Sequence, residues 1–543
     1  MITLSYNPRN VYGRYGMDHF VRRSGIPFER GPSAPEGSLS YAAGVEDKFR
    51  IMVRGTSILD RVCGQVSWRD TLVSVCEIPD TTGPGEKDLA FFTAEGTNYP
   101  CITKIAEGID IGIDIFQETG YLLSGHYDRI WGTLDEAGRN RVASRPAVDT
   151  LENLLIESIL EGCRSLKIPL VRKSPWPDAK KFAVCLTHDV DEVRKTYQWL
   201  TRPVRCLRRG DFQGLGGQVR SLFRKIGGND PYWTFNEIAS IENHFDAKST
   251  FFFLKESGKS SVFSPHTWNL YGRCHSYKEP GVLEAIRVVS GCGSEVAVHG
   301  SFYSYTSPGL IENETRELEA LIGEKVMGTR QHHLNLCVPQ TWDYQRDAGL
   351  LYDSSLGFRD RPGFRWGTSY PFFPLTGDTP HAILEIPLVI MDIILLSRKD
   401  PVGECLALAG EVERVSGVLT LLWHPPSFND LEVPGSGEIY RKIIEWSSHR
   451  GAWVTSAKEI SLWQQRRDSL GISFWKNGNT FVIPVNSGEN CYLSVYLPLN
   501  TNPEFSGNTV VIGKENDPMT GTECLHLRVQ AEGDTGEIRV NLK

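Results

Sequence analysis

The chain has 543 residues, 40% of them hydrophobic and 23% charged, with 52 Gly and 30 Pro, values that exclude a disordered, collagenous or small disulfide-scaffold protein. That length exceeds one ordinary core and implies two to four domains. A net charge of −8 supplies no global basic field, so nucleic acid is not the expected partner.

The opening residues MITLSYNPRNVYGRYG lack a basic segment followed by an apolar one, so no secretory signal is read there. Twelve cysteines are scattered without a C-x-x-C pair, the pattern of reduced, mostly buried thiols, and a cytoplasmic location is expected. Residues 1–175 mix short apolar runs, Phe49–Val53 and Leu72–Cys76, with an amphipathic helical pattern over Thr150–Leu166. The Pro-punctuated stretch Lys173–Asp178 then marks a domain boundary.

From 178 to 465 the texture alternates between strand and helix. Apolar runs recur at Phe182–Leu186, Thr250–Leu254, Glu295–Val298, Leu384–Ile390, Val418–Trp423 and Ala452–Val454, with helical patterns such as Asn313–Ile322 and Glu438–Ser448 between them. This predicts an α/β fold with a largely parallel sheet or barrel, in which chemistry gathers at the C-terminal strand ends. Between Arg194 and Lys225 stand nine Lys or Arg and one acid, Asp211. That stretch is either a solvated insertion or a contact for an anionic glycan, a phospholipid carrier or a membrane surface. The longest apolar stretch, His381–Leu396, is interrupted by Glu385 and Asp392 and is too short for a spanning helix. From about 470 onward short strands separated by turns, including Asn477-Gly478, predict a small β-sandwich over 470–543.

Four strand ends in the middle region carry candidate chemistry. The run Phe182-Ala-Val-Cys-Leu enters Thr187-His188-Asp189-Val190-Asp191, and the two acids, two apart, face the same way in an extended segment. Paired carboxylates repel unless a proton or cation separates them, which points to a metal with one acid as ligand and the other as base; helix capping is the plainer alternative. His299 follows the third run, Arg330 stands in Gly328-Thr-Arg-Gln-His-His, and His424 follows Val418–Trp423.

This order of motifs resembles the NodB-homology polysaccharide deacetylases, carbohydrate esterases on a distorted (β/α) barrel, in a branch marked by Thr-His-Asp-Val-Asp. Residues 110–148 resemble an uncharacterised domain that precedes this branch. The resemblance implies an N-terminal α/β domain over 1–175 and a deacetylase barrel over 178–465. It also implies Asp189 as general base, Asp191 and His299 as metal ligands, Arg330 as the partner of the base, His424 as general acid and Asp353 as a supporting carboxylate. Tyr303 stands where the family's second metal histidine would be. The third ligand must then come from His332, His333, His188 or Asp189, and His333 is favoured because it can replace the missing imidazole from a neighbouring strand end. Trp423 and Tyr303 are expected at the substrate, with Trp366, Tyr370, Phe372 and Phe373 as further aromatic candidates.

The expected cofactor is a divalent metal, zinc before cobalt or nickel. The expected activity is deacetylation of an N- or O-acetylated saccharide, free or linked to lipid or nucleotide, in surface-polysaccharide biosynthesis. Two alternatives stand beside it: a metal-independent C–N hydrolase of the allantoinase type, and a non-catalytic glycan-binding protein. A pure binder needs no acid, base and orienting cation together.

Overall fold

Nine strands between Phe182 and Thr455 form one parallel sheet: β1 (Phe182–Val190), β2 (Thr250–Leu254), β3 (Glu295–Gly300), β4 (Gly328–Gln331), β5 (Tyr352–Asp353), β6 (Leu384–Glu385), β7 (Ile390–Met391), β8 (Val418–Leu422) and β9 (Ala452–Thr455). The computed structural model describes residues 108–257, 270 and 272–473 without a break, and outside these ranges the strands and helices named below. Strand order runs β6-β5-β4-β3-β2-β1-β8-β7, so β1 to β6 lie side by side in chain order and the two ends of the row, β6 and β7, are not joined. The second half of β1 pairs β2, its first half pairs β9, and β8 lies along the opposite edge. This is a distorted, open (β/α) barrel.

The local reasons are in the residues. Strands β1, β2, β3 and β8 are buried along their whole length, as continuous apolar runs covered on both faces must be. The helices between them start where the chain allows: Pro280, Pro308 and Pro401 occupy first turns, and Asp400 caps its helix by accepting from Gly403 N. The run Leu384–Ile390 is not one strand. Its first residues extend the sheet beside β5, its last beside β8, and Pro387 between them offers no N–H to a ladder. The run therefore carries the chain across the gap between the sheet's two ends.

Upstream, nine strands between Ile2 and Ile111 form a mixed, mostly antiparallel sheet against helices Val11–Ser24 and Ala147–Ser165. The second helix matches the predicted amphipathic pattern and is held on the barrel. Asp149 accepts from Ser369 N at 2.7 Å, and Arg23 reaches both Glu152 and the carbonyl of Val415. Downstream, strands from Gly471 to Leu542 form two sheets whose inner residues, among them Ile483, Leu493 and Leu527, share one core. One strand of that sandwich comes from before the barrel: Leu170–Lys173 pairs antiparallel with Cys491–Pro498. Trp475–Asn477 pairs antiparallel with Thr480–Asn486, on either side of the expected turn, of which Gly478 lies outside the described residues. The described cysteines are all free thiols, and no helix among the described residues is long and apolar enough to cross a membrane.

Candidate active site and metal centre

Alternation along β1 sorts its polar end. Thr187, Asp189 and Asp191 share one side, whereas His188 points the other way, where its Nδ1 meets the carbonyl of Trp423 at 2.7 Å and its Nε2 meets Glu242 at 2.9 Å. Both ring nitrogens are engaged in the core, so His188 is no ligand. Asp189 Oδ1 accepts from Arg330 Nη1 at 2.9 Å, and the same nitrogen donates to Thr187 Oγ1 at 2.7 Å. Arg330 is fully buried, fixed further by the carbonyl and hydroxyl of Ser354 and stacked over Phe252. Its fork therefore holds Asp189 in a single orientation.

His299, at the end of β3, faces both acids. Its Nδ1 lies 2.7 Å from the carbonyl of Arg330 and so carries the proton; its Nε2 lies 3.3 Å from Asp191 Oδ1 and 3.5 Å from Asp189 Oδ2. His332 is arranged alike, with Nδ1 on Glu256 Oε2 at 3.1 Å and Nε2 at 3.7 Å from Asp191 Oδ2. Asp191 Oδ1 and His332 Nε2 are buried without a hydrogen bond. Ligand atoms of Asp191, His299 and His332 all lie within 4.8 Å of one another.

The donor set fits a divalent cation. In the neutral rings two Nε2 lone pairs point at a carboxylate, an arrangement that repels unless a positive charge sits among them. Each imidazole is oriented from behind by an acceptor, as metal-binding histidines are. Arg273 pairs with Asp191 Oδ2 at 2.8 Å and leaves Oδ1 for the centre.

The third position expected for His333 is taken by its neighbour. Residues 332–334 form a single 3-10 turn in which His333 adopts φ 59° and Leu334 φ 53°. That turn buries His332 against Glu256 and leaves His333 exposed. Asp353 stands on the strand paired with that of Arg330, close enough for the guanidinium to act on its carboxyl. It accepts from Ser355 Oγ and Trp342 Nε1 beside Glu385, whose carboxyl is pushed well up by burial and by Asp353 itself.

His424, at the end of β8, is half-buried, with Nδ1 2.8 Å from Asp392 Oδ1; Asp392 Oδ2 also accepts from His424 N and Ser427 Oγ. Burial acts to lower the imidazole pKa, but Asp392, aided by Asp191 and Asp189, outweighs it and lifts the value to about 9. His424 is thus a proton donor below about 9 and loses that proton as pH rises through it. Asp392→Asn is expected to move the alkaline limb of a kcat–pH profile down toward the ordinary imidazole value near 6.5. An unmoved limb in that variant would remove Asp392 from this role.

Of the two residues expected at the substrate, Tyr303 is exposed beside Phe302, whose ring faces His332 and His333. Trp423 is not available to a ligand. It is completely buried, and its indole N–H donates to Ser436 Oγ at 2.9 Å. Trp366, Tyr370 and Phe372 are core residues as well. Sequence reasoning missed Glu256, Arg273 and Asp392. Glu256 follows the apolar run of β2 and Asp392 interrupts another, so both carried a signal; Arg273 carried none.

No protein-family profile and no curated protein matches the chain. Solved structures do. A putative polysaccharide deacetylase from Mycobacterium smegmatis is 19% identical, with 56% of this chain and 97% of that chain covered at a TM-score of 0.37. A probable polysaccharide deacetylase from Pseudomonas aeruginosa PAO1 is 14% identical, with 54% and 94% covered at a TM-score of 0.35. Puue allantoinase is 15% identical, with 53% and 91% covered at a TM-score of 0.36.

Proposed function

We propose that this chain is a metal-dependent hydrolase that removes acetyl groups from an N- or O-acetylated saccharide, free or carried on a lipid or nucleotide. The observation that carries this reading is the convergence of Asp191, His299 and His332 beside an Arg330-held Asp189. In this reading residues 178–465 carry the chemistry; 1–175 and 470–543 flank it, joined to each other by the strand Leu170–Lys173.

Two imidazoles and a carboxylate suit zinc, with cobalt or nickel as substitutes, and would hold it through Asp191, His299 and His332. When bound, such a cation supplies polarisation of the acetyl carbonyl and acidification of water. Asp189, its other oxygen fixed by Arg330, accepts the proton of the attacking water. The acetyl carbon gains that oxygen, and its bond to the sugar nitrogen or oxygen breaks. His424 Nε2 gives its proton to the departing amine or hydroxyl, while Asp392 on Nδ1 holds the ring in place and stabilises its charged form. Tyr303, exposed at the mouth, meets the sugar.

Metal content after reconstitution with zinc, cobalt or nickel, measured beside acetate release from a panel of acetylated saccharides, tests this. The expected result is about one equivalent per chain, lost together with acetate release in Asp191→Asn. Hydrolysis that persists in metal-free protein overturns the metal dependence. Saccharide binding without acetate release from any member of the panel overturns the enzymatic reading.

A further inference from the structure

The basic stretch after β1 folds as two helices, α1 (Gln198–Arg209) and α2 (Phe212–Ile226), joined where Gly210 takes φ 66° and Asp211 caps α2 by accepting from Gly214 N. Their polarity is inverted. The faces turned to the protein are polar: Lys195, just before α1, donates at 2.6 Å to both Gln218 and Glu432, and Ser221 donates to Glu432 at 2.7 Å. Gly217 lies so close to the backbone of Leu431 that a Cβ there would stand 2.7 Å from its carbonyl oxygen.

The faces turned to solvent are apolar. Leu200, Leu207, Phe212, Phe223 and Ile226 are 59–77% exposed. They recur at helical spacing, so each helix presents a stripe and not a scatter of single residues. Folding this hairpin leaves its apolar surface in water, which costs free energy unless something covers it.

Charge selects the cover. Within residues 198–226 stand seven Arg or Lys against one acid, on a chain whose net charge is −8. Arg205, Arg208, Arg209, Arg220, Arg224 and Lys225 are all exposed alongside the stripes. Two copies meeting through this face would bring like charges together. An anionic bilayer supplies both the apolar interior and the opposite charge.

The root of the hairpin is at the candidate active site. Gln198 donates to Glu192, next to Asp191, and Arg202 pairs with Glu432 in the segment that follows His424. The hairpin therefore stands at the sheet end that carries Asp189, Asp191 and His424. We propose that α1 and α2 dock this protein on an anionic phospholipid surface, lying in the interface without spanning it, with the catalytic end of the barrel beside the membrane.

Flotation of the full chain with phosphatidylcholine vesicles containing about one third phosphatidylglycerol tests this. The wild type is expected to float with these vesicles, to ignore vesicles of phosphatidylcholine alone, and to release as salt is raised. L207E/F223E is expected to lower the bound fraction about tenfold, with its fold checked by circular dichroism melting. R208E/R224E, which keeps the apolar stripes intact, is expected to weaken binding and flatten the salt dependence. A wild type left unbound overturns the proposal, as does an L207E/F223E variant that binds as well as the wild type. A dimer in light scattering that L207E/F223E abolishes, without any vesicle binding, overturns it in favour of a second copy. Flotation involves no turnover, so its result is independent of the deacetylase reading.

Discussion

Asp189→Asn is expected to lower kcat for acetate release by roughly 10²- to 10⁴-fold, the usual contribution of a positioned general base, while metal content stays at the wild-type level. The separation follows from geometry. Asp189 is bound on one oxygen by Arg330, and its other oxygen is 3.5 Å from His299 Nε2. The three clustered ligand atoms come from Asp191, His299 and His332 and do not include it. The asparagine variant keeps the shape of the side chain and removes its capacity to take a proton. His299→Ala, in contrast, is expected to lose metal and turnover together. Full activity in Asp189→Asn would falsify the assignment of the base. Loss of metal in the same variant would mean that Asp189 is a ligand, and the base would have to be sought elsewhere.

His332→Ala is expected to weaken metal binding by at least about a hundredfold, more than disturbing a ligand's outer partner does, whereas His333→Ala leaves it within a few-fold of wild type. Chelator competition followed by metal analysis on the two variants reads this directly. The adjacent histidines differ in place, not in chemistry. His332 is buried between Glu256 and Asp191, and its neighbour, one residue along a left-handed turn, is exposed. Should His333→Ala lose metal and His332→Ala retain it, the turn at 332–334 is arranged differently in the loaded protein and the ligand set must be redrawn.

That contrast shows where sequence reasoning stops. Strand ends offering Asp, His, Arg and His were enough to bring Asp189, Asp191, His299, Arg330 and His424 to one end of one sheet, because a parallel sheet places neighbouring strand ends side by side. Spacing could not choose between His332 and His333, since the decision rests on two positive φ angles and not on residue type. The failure at Trp423 has a similar cause. Adjacent residues leaving a strand point to opposite sides, so the neighbour of a site histidine is as readily sent into the core as toward a ligand. Asp392 was visible only as a charge breaking an apolar run, and such a charge, buried, requires a partner. Its partner, His424, lies on another segment, and only the fold brings them within 2.8 Å.

The strand Leu170–Lys173 bears on how any shortened version of this protein behaves. It precedes the whole barrel in the chain, yet its hydrogen-bonding partner Cys491–Pro498 follows the barrel. Their pairing closes a long loop around the barrel, a slow kind of contact to form. Removing residues beyond 470 strands Val171 without its apolar neighbours and leaves an open edge in the middle of the sequence. A truncated chain that aggregates or loses turnover has therefore lost a clasp, and that result says nothing about whether the terminal sheets touch a glycan.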